Sequence, residues 1–292
     1  MNQAIRLKSC LAKLLLLAMG GFIFAEAQCI NPSKLSVISE EDSIVSTVYS
    51  IPSPDEIFNY IDAGNLSYKP QILSNPKNMG KYKSSREQFL AVGIFLADLS
   101  YTLAFQQPAK GFEYMKVIDE VGNNQNLFPY LDYQFKERFL SNMSNVDSLI
   151  ILSDIAYDLA MDNLFETQRF NTYSIVSFGC VIESLYLTLT SINQDNPSGE
   201  LLQRIADQRN LVDQLVEMIG LYMTKREAKS LLKDLNPLIT SFEAFNVEIH
   251  ETKVSTRYDR VFIQPTKEIS VTREKLDNLA LAVDEIRDKW VK

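Results

Sequence analysis

Histidine occurs once in this 292-residue chain, at His250, and cysteine three times, at Cys10, Cys29 and Cys180. One imidazole cannot build a His-rich zinc site, and any Ser-His-Asp arrangement would depend wholly on His250. Cys10 falls in an N-terminal segment read below as removed, which leaves one cysteine in a leader and one inside an apolar run, so a disulfide scaffold is excluded. The chain has no G-x-S-x-G, no G-x-x-x-x-G-K-[ST], no G-x-G-x-x-G and no H-E-x-x-H. No helical Glu-x-x-His pair of the di-iron kind occurs either. These gaps leave no metal, cofactor or catalytic residue to name from motif.

Basic residues are also in deficit, with 29 Lys and Arg against 37 Asp and Glu. Nucleic acid is therefore not an expected partner, because phosphate binding depends on clustered cations that release counterions. A net negative charge serves solubility instead.

The N-terminus reads as a secretory signal over residues 1–27: Arg6, Lys8 and Lys13, then "LLLLAMGGFIF", then the small-residue signature Ala25-Glu26-Ala27. Its apolar core is far shorter than the ~20 residues that span a bilayer. Cys29 follows directly, where a bacterial lipoprotein carries its lipid. Glu26 and Gln28 fit that lipidation signal poorly, so release after Ala27 is the preferred reading and lipidation of Cys29 the alternative. The expected location is accordingly periplasmic or membrane-tethered, with any membrane contact made through Cys29 alone.

Residues 28–52 read as a flexible leader and 53–292 as a single helical domain, because no Pro- or Gly-rich linker divides the helical region. Helix starts carry one signature: Ser53-Pro54-Asp55-Glu56, Ser84-Ser85-Arg86-Glu87, Ser144-Asn145-Val146-Asp147 and Thr224-Lys225-Arg226-Glu227, each before an apolar run. In such a box the hydroxyl and the acid three residues later each cover an orphan backbone N–H. Asn196-Pro197 adds a cap with proline at the first helical position. Helical spacing then predicts helices over 54–62, 84–106, 110–121, 129–142, 146–164, 168–192, 198–222, 225–245 and 272–290.

The fold expected is all-α, a bundle of about nine helices or stacked helical pairs. Only 247–271 lacks helical signals, and its β-branched and aromatic residues suit a short irregular segment or hairpin. Residues 90–105 and 174–189 are apolar nearly all round, which places them at the bundle centre.

The blocks "GIFLADLSYTLAFQQ", "YMKVIDEVG", "RFLSNMSNVDSLIILSDIAYDL" and "SFGCVIESLY", with a weaker echo in "LDNLALAVDEIRDKW", resemble a family of exported, all-helical proteins from Bacteroidetes bacteria. Members of it are described as hypothetical proteins or lipoproteins. The resemblance covers residues 54–192 and implies an envelope location and a helical fold. It brings no reaction, substrate or catalytic residue.

The central runs nevertheless carry acids. Asp98 shares a helical face with Ile94, Tyr101 and Phe105, and Glu183 lies one turn from Gly179 and Tyr186. Asp154, Asp158 and Asp162 step by four along a third helix, where Tyr157 follows Asp154 by three. A seam lined by Asp98, Tyr101, Asp154, Tyr157, Glu183 and Tyr186 is thus the candidate ligand site. Buried acids of this kind can have raised pKa values of use to chemistry. Their plainer and expected role is to accept hydrogen bonds from Tyr, Ser or backbone groups of a neighbouring helix and so fix helix register, and Ser100, Ser153 and Ser184 adjoin these acids in the sequence. For the Asp154, Asp158 and Asp162 row, a solvated face is expected ahead of a Ca²⁺ or Mg²⁺ site, since a rigid helical row lacks converging oxygens.

An exported, non-enzymatic binding or scaffolding protein follows, with an unknown ligand or an envelope protein as partner. The alternative is a carboxylate-dependent hydrolase acting on an envelope or extracellular substrate.

Overall fold

A computed structural model describes residues 51–54, 58, 66–127, 133–192, 197–257 and 260–292, with the backbone alone given for 133–134 and for 246–270. The signal region, Cys29 and all of the leader except Ile51 and Pro52 lie outside the described residues. So does most of the helix predicted over 54–62.

Among the described residues the chain forms nine α-helices: α1 (Ser85–Ala104), α2 (Pro108–Asn124), α3 (Tyr133–Ser141), α4 (Val146–Glu166), α5 (Phe170–Ser191), α6 (Gly199–Asp207), α7 (Arg209–Tyr222), α8 (Lys225–Glu243) and α9 (Arg273–Trp290). Two short 3₁₀ turns, Pro70–Ile72 and Pro76–Lys81, precede them. Between α8 and α9 runs an antiparallel hairpin, β1 (Asn246–Arg257) and β2 (Arg260–Ser270), paired from Asn246↔Ser270 to Arg257↔Arg260. Its register shifts between His250 and Thr252, which leaves Glu251 as an extra residue in β1. The body is the expected all-α bundle, and the segment near 247–271 is a hairpin longer than foreseen.

Local chemistry accounts for the helix ends. Ser84 makes the full capping box, accepting from the Glu87 amide at 3.2 Å while the Glu87 carboxylate accepts from the Ser84 amide at 3.0 Å. Thr224 caps α8 in the same position. At α4 the expected Ser144 cap is corrected to Asn145, whose amide oxygen accepts from the Ser148 N–H at 3.1 Å. An Asn side chain mimics the backbone acceptor as well as Ser does, so the box slid by one residue. The expected Asn196-Pro197 start is likewise corrected: Ser198 is the cap and α6 begins at Gly199.

Residues 198–222, read as one helix, are two. The break falls at Gln208, whose amide is shared between the Arg204 and Ile205 carbonyls at 3.3 and 3.2 Å, a bifurcated bond typical of a helix end.

Three helices end on left-handed non-glycine residues: Gln106 after α1, Asn126 after α2 and Gln168 after α4, with φ of 59°, 52° and 57°. Each closes the same pair of bonds. After α1, Gln107 donates to Thr102 O at 2.8 Å and Gln106 to Leu103 O at 2.9 Å, and the equivalent pairs recur at Leu127/Asn126 and Arg169/Gln168. The last orphan carbonyls are satisfied in this way.

α5 is the central rod, in contact with α1, α4, α7 and α9, and its most extensive partner is α1. Every residue of α1 from Phe89 to Leu103 is buried. Length and apolarity alone would let α5 cross a membrane, but 89% of its most apolar window is buried inside the bundle.

The α1–α5 crossing depends on glycine. A Cβ on Gly93 would stand 2.1 Å from Val176 O, and one on Gly179 would stand 2.5 Å from Leu90 O. Only hydrogen fits at either position, so the two backbones meet as closely as helices can. Asp98 and Glu183 follow Gly93 and Gly179 about one turn on, and the close crossing is what brings these two acids toward each other.

Candidate functional site

Burial of Asp98 and Glu183 is complete, with no exposed surface on either residue. A charge in such a place must be paired, hydrogen-bonded or protonated. The partner comes from α9: Arg287 donates from Nε to Glu183 Oε2 at 2.7 Å and from Nη2 to Glu183 Oε1 at 2.9 Å, a two-pronged grip. The same guanidinium reaches the Ile72 carbonyl at 3.1 Å and Ser74 Oγ at 3.0 Å. Its Cζ lies 3.9 Å from the ring centroid of Tyr186.

Ser74 ties the loop before α1 into this centre. Its hydroxyl donates to Glu183 Oε1 at 3.3 Å and its amide to Asp98 Oδ1 at 3.4 Å. The buried Tyr114 hydroxyl donates to the Ser74 carbonyl at 2.7 Å and fixes the loop from the α2 side. Asp98 Oδ2 makes no hydrogen bond of ordinary geometry, although the Asp98 and Glu183 carboxyls interact side chain to side chain.

The electrostatics divide the two acids. Burial pushes Asp98 well above the usual carboxylate range, the nearby Glu183 charge pushes it further, and Arg287 and Ser74 only partly offset this. Burial also raises Glu183, but there the Arg287 hydrogen bonds and charge oppose it directly. The arrangement sets Glu183, clamped by Arg287, beside Asp98, whose surroundings favour its protonated form.

The remaining members of the expected seam sit in two other sets of bonds. Tyr101 is fully buried, 2.7 Å from Ser191 Oγ, and accepts from the Lys69 amide at 3.1 Å. It packs in an aromatic cluster with Phe58, Tyr68 and Phe105. Asp154 and Tyr157 hold the entering chain: Ser53 Oγ donates to Asp154 Oδ1, and the Tyr157 hydroxyl donates to Ile51 O at 3.2 Å. Tyr173 hydrogen-bonds the Ile51 backbone as well. The structure thus joins Asp98, Glu183 and Tyr186 in one network, Tyr101 in a second, and Asp154 and Tyr157 in a third.

The acids do accept from a serine hydroxyl and a backbone amide, but both belong to Ser74 in a loop rather than to a neighbouring helix. Tyr101 bonds away from Asp98, and Ser184 Oγ has no hydrogen-bond partner. A guanidinium pairs with Glu183 instead, and a loop serine donates to both acids. Arg287 left a faint trace in the sequence, since it follows Val283 by four and Leu279 by eight on the buried face of α9. Ser74 left none, being in a loop.

No described cavity reaches these acids. The apolar one between α1, α2, α3 and α4, of about 40 Å³, is lined by Leu96, Leu99, Met115, Ile118, Phe135 and Phe139 among others, and another of about 30 Å³ lies beside Phe178 and Trp290. A larger open groove of about 540 Å³ runs between the Pro76–Lys81 turn and α2. Among the described residues no group of three or more His, Cys, Asp or Glu is placed to hold a metal ion. Cys180 is buried, with its thiol pKa raised by burial alone, and packs at the α1–α5 crossing.

Comparison with models of protein families, with curated proteins and with solved structures finds no match.

Proposed function

We propose that the chain is an exported envelope protein that works by binding or scaffolding rather than by catalysis. Export rests on the signal-like residues 1–27, and attachment to a membrane would pass through a lipid on Cys29. One observation carries the non-enzymatic reading: Asp98 and Glu183 are sealed in the core, and Glu183 is already neutralised by Arg287. A hydrolase using two carboxylates needs both at an open cleft, separated by roughly 5–10 Å across the scissile bond. None of the three cavities described above includes either acid.

The purified mature protein is expected to leave a panel of chromogenic glycosides and esters intact. Turnover that disappears in Asp98→Asn would overturn the reading. Mass spectrometry of the mature N-terminus tests the location: an N-terminus at Gln28 supports release, and an acylated Cys29 supports tethering.

A further inference from the structure

α4 turns an unusual face outward. Ile151, Ile155 and Leu159 stand at i, i+4 and i+8 and are 59, 41 and 36% exposed, so they form one aliphatic stripe along the helix. Isolated exposed aliphatics need no explanation, whereas three in register on one face form a continuous apolar strip. The opposite face buries Leu149, Leu152, Tyr157, Ala160 and Leu164, so the stripe is no part of the core packing.

Charge along the same helix has one sign. Asp147, Asp158, Asp162 and Glu166 are exposed beside the stripe, Asp154 is half-buried, and α4 contains no Lys or Arg. Asp158 titrates above its ordinary value through partial burial and the charges of Asp154 and Asp162, as expected where acids crowd without neutralisation. Each like-charged pair at four-residue spacing costs a few tenths of a kcal/mol, which a basic partner would recover. A second copy docking through this face would set acids against acids. An anionic lipid surface would be repelled for the same reason.

We propose that the Ile151–Ile155–Leu159 stripe of α4, with its acidic flanks, is the docking surface for a basic amphipathic helix of another protein. The occupant's aliphatic residues pack along the stripe while its Lys and Arg meet Asp158, Asp162 and Glu166. This is recognition of a helix by an apolar seam, with charge fixing orientation and partner choice. The inference rests on the binding reading above and gives it a surface and a partner chemistry.

The test uses the full mature chain and a fluorescein-labelled peptide of about five turns, matching the ~30 Å of α4, with Leu at helical spacing and Lys on the flanks. Anisotropy should show saturable binding that weakens with salt, and Ile151→Ser with Ile155→Ser should weaken it about tenfold or more. Asp158→Asn with Asp162→Asn should reduce the salt dependence. All four substitutions are at exposed positions, and unchanged circular dichroism shows that the fold is kept.

Equal binding by the serine variant, or by a peptide with Glu in place of Lys, overturns the proposal. So does a dimer in sedimentation that Ile155→Ser dissolves, which would assign the stripe to self-association. Cosedimentation with phosphatidylethanolamine–phosphatidylglycerol vesicles that is lost in the serine variant would assign it to lipid and equally overturn it. Absence of peptide binding from a protein that also hydrolyses none of the chromogenic substrates sinks this inference alone and leaves the non-catalytic reading standing.

Discussion

Arg287 on the last helix holds both carboxylate oxygens of Glu183 on the central helix, at 2.7 and 2.9 Å, with 12 and 0% of their side chains exposed. The residues lie 104 positions apart, so this ion pair closes the bundle by drawing α9 onto α5. The pair need not add net stability over an apolar substitute, because desolvation offsets most of the attraction. Its consequence is specificity: only one seating of α9 places the guanidinium between Glu183, Ser74 and the Ile72 carbonyl. Glu183, one of the acids singled out by the sequence, is therefore held inside the fold by a partner from the last helix.

The upward shift of the Asp98 pKa makes stability depend on pH. Its folded-state pKa is raised, so the stabilisation is full below the unfolded value of about 4 and is lost as pH rises through the folded value. Glu183 is shifted in the same direction. Asp98→Asn keeps the shape without the ionisation, so its unfolding free energy should fall less steeply than the wild type's above about pH 4. Urea titrations across the pH range check this, and parallel curves would contradict a protonated Asp98.

At the α1–α5 crossing, Gly93→Ala forces a methyl against the Val176 carbonyl, a backbone atom that cannot swing aside. A loss of about 3 kcal/mol or more is expected, at or beyond the top of the usual overpacking range. Gly220→Ala on α7 provides the contrast, since nothing lies within 4 Å of the added carbon. There the helix should gain about 0.5–1 kcal/mol. Urea midpoints of the two variants moving in opposite directions is the predicted outcome.

Tyr157→Phe removes the donor to the Ile51 carbonyl, and Asp154→Ala removes the acceptor for Ser53. Each should cost about 1 kcal/mol locally. Hydrogen exchange should speed roughly fivefold at the Ile51 and Ser53 amides while α5 keeps its protection. Uniform acceleration across the chain would show instead that the entering segment and the bundle open together.

Much of the fold was legible because it rests on local chemistry. The Ser84 and Thr224 caps and the all-apolar stretches of α1 and α5 announce themselves within a few residues. The helix stops were harder: Gln106, Asn126 and Gln168 adopt left-handed geometry without glycine, so composition gives no warning. The acids were visible as charges in apolar runs, and Asp98 and Glu183 do meet. What holds them was not visible, because Arg287 and Ser74 lie more than 20 residues away from either acid in the sequence. Helical period places Tyr101 near Asp98 on a cylinder, yet the loop at Lys69 and the end of α5 claim its hydroxyl.

A structural role for the buried acids depends on Glu183 and Arg287 acting as a clamp. A double-mutant cycle with Glu183→Gln and Arg287→Met, read by urea unfolding at neutral pH, tests it most directly. Arg287→Met alone should cost about 3–5 kcal/mol by stranding a buried charge, and the double variant should recover at least about 1.5 kcal/mol of the summed losses. Additive effects would contradict the clamp. They would return the buried acids to the list of groups whose role is still to be found.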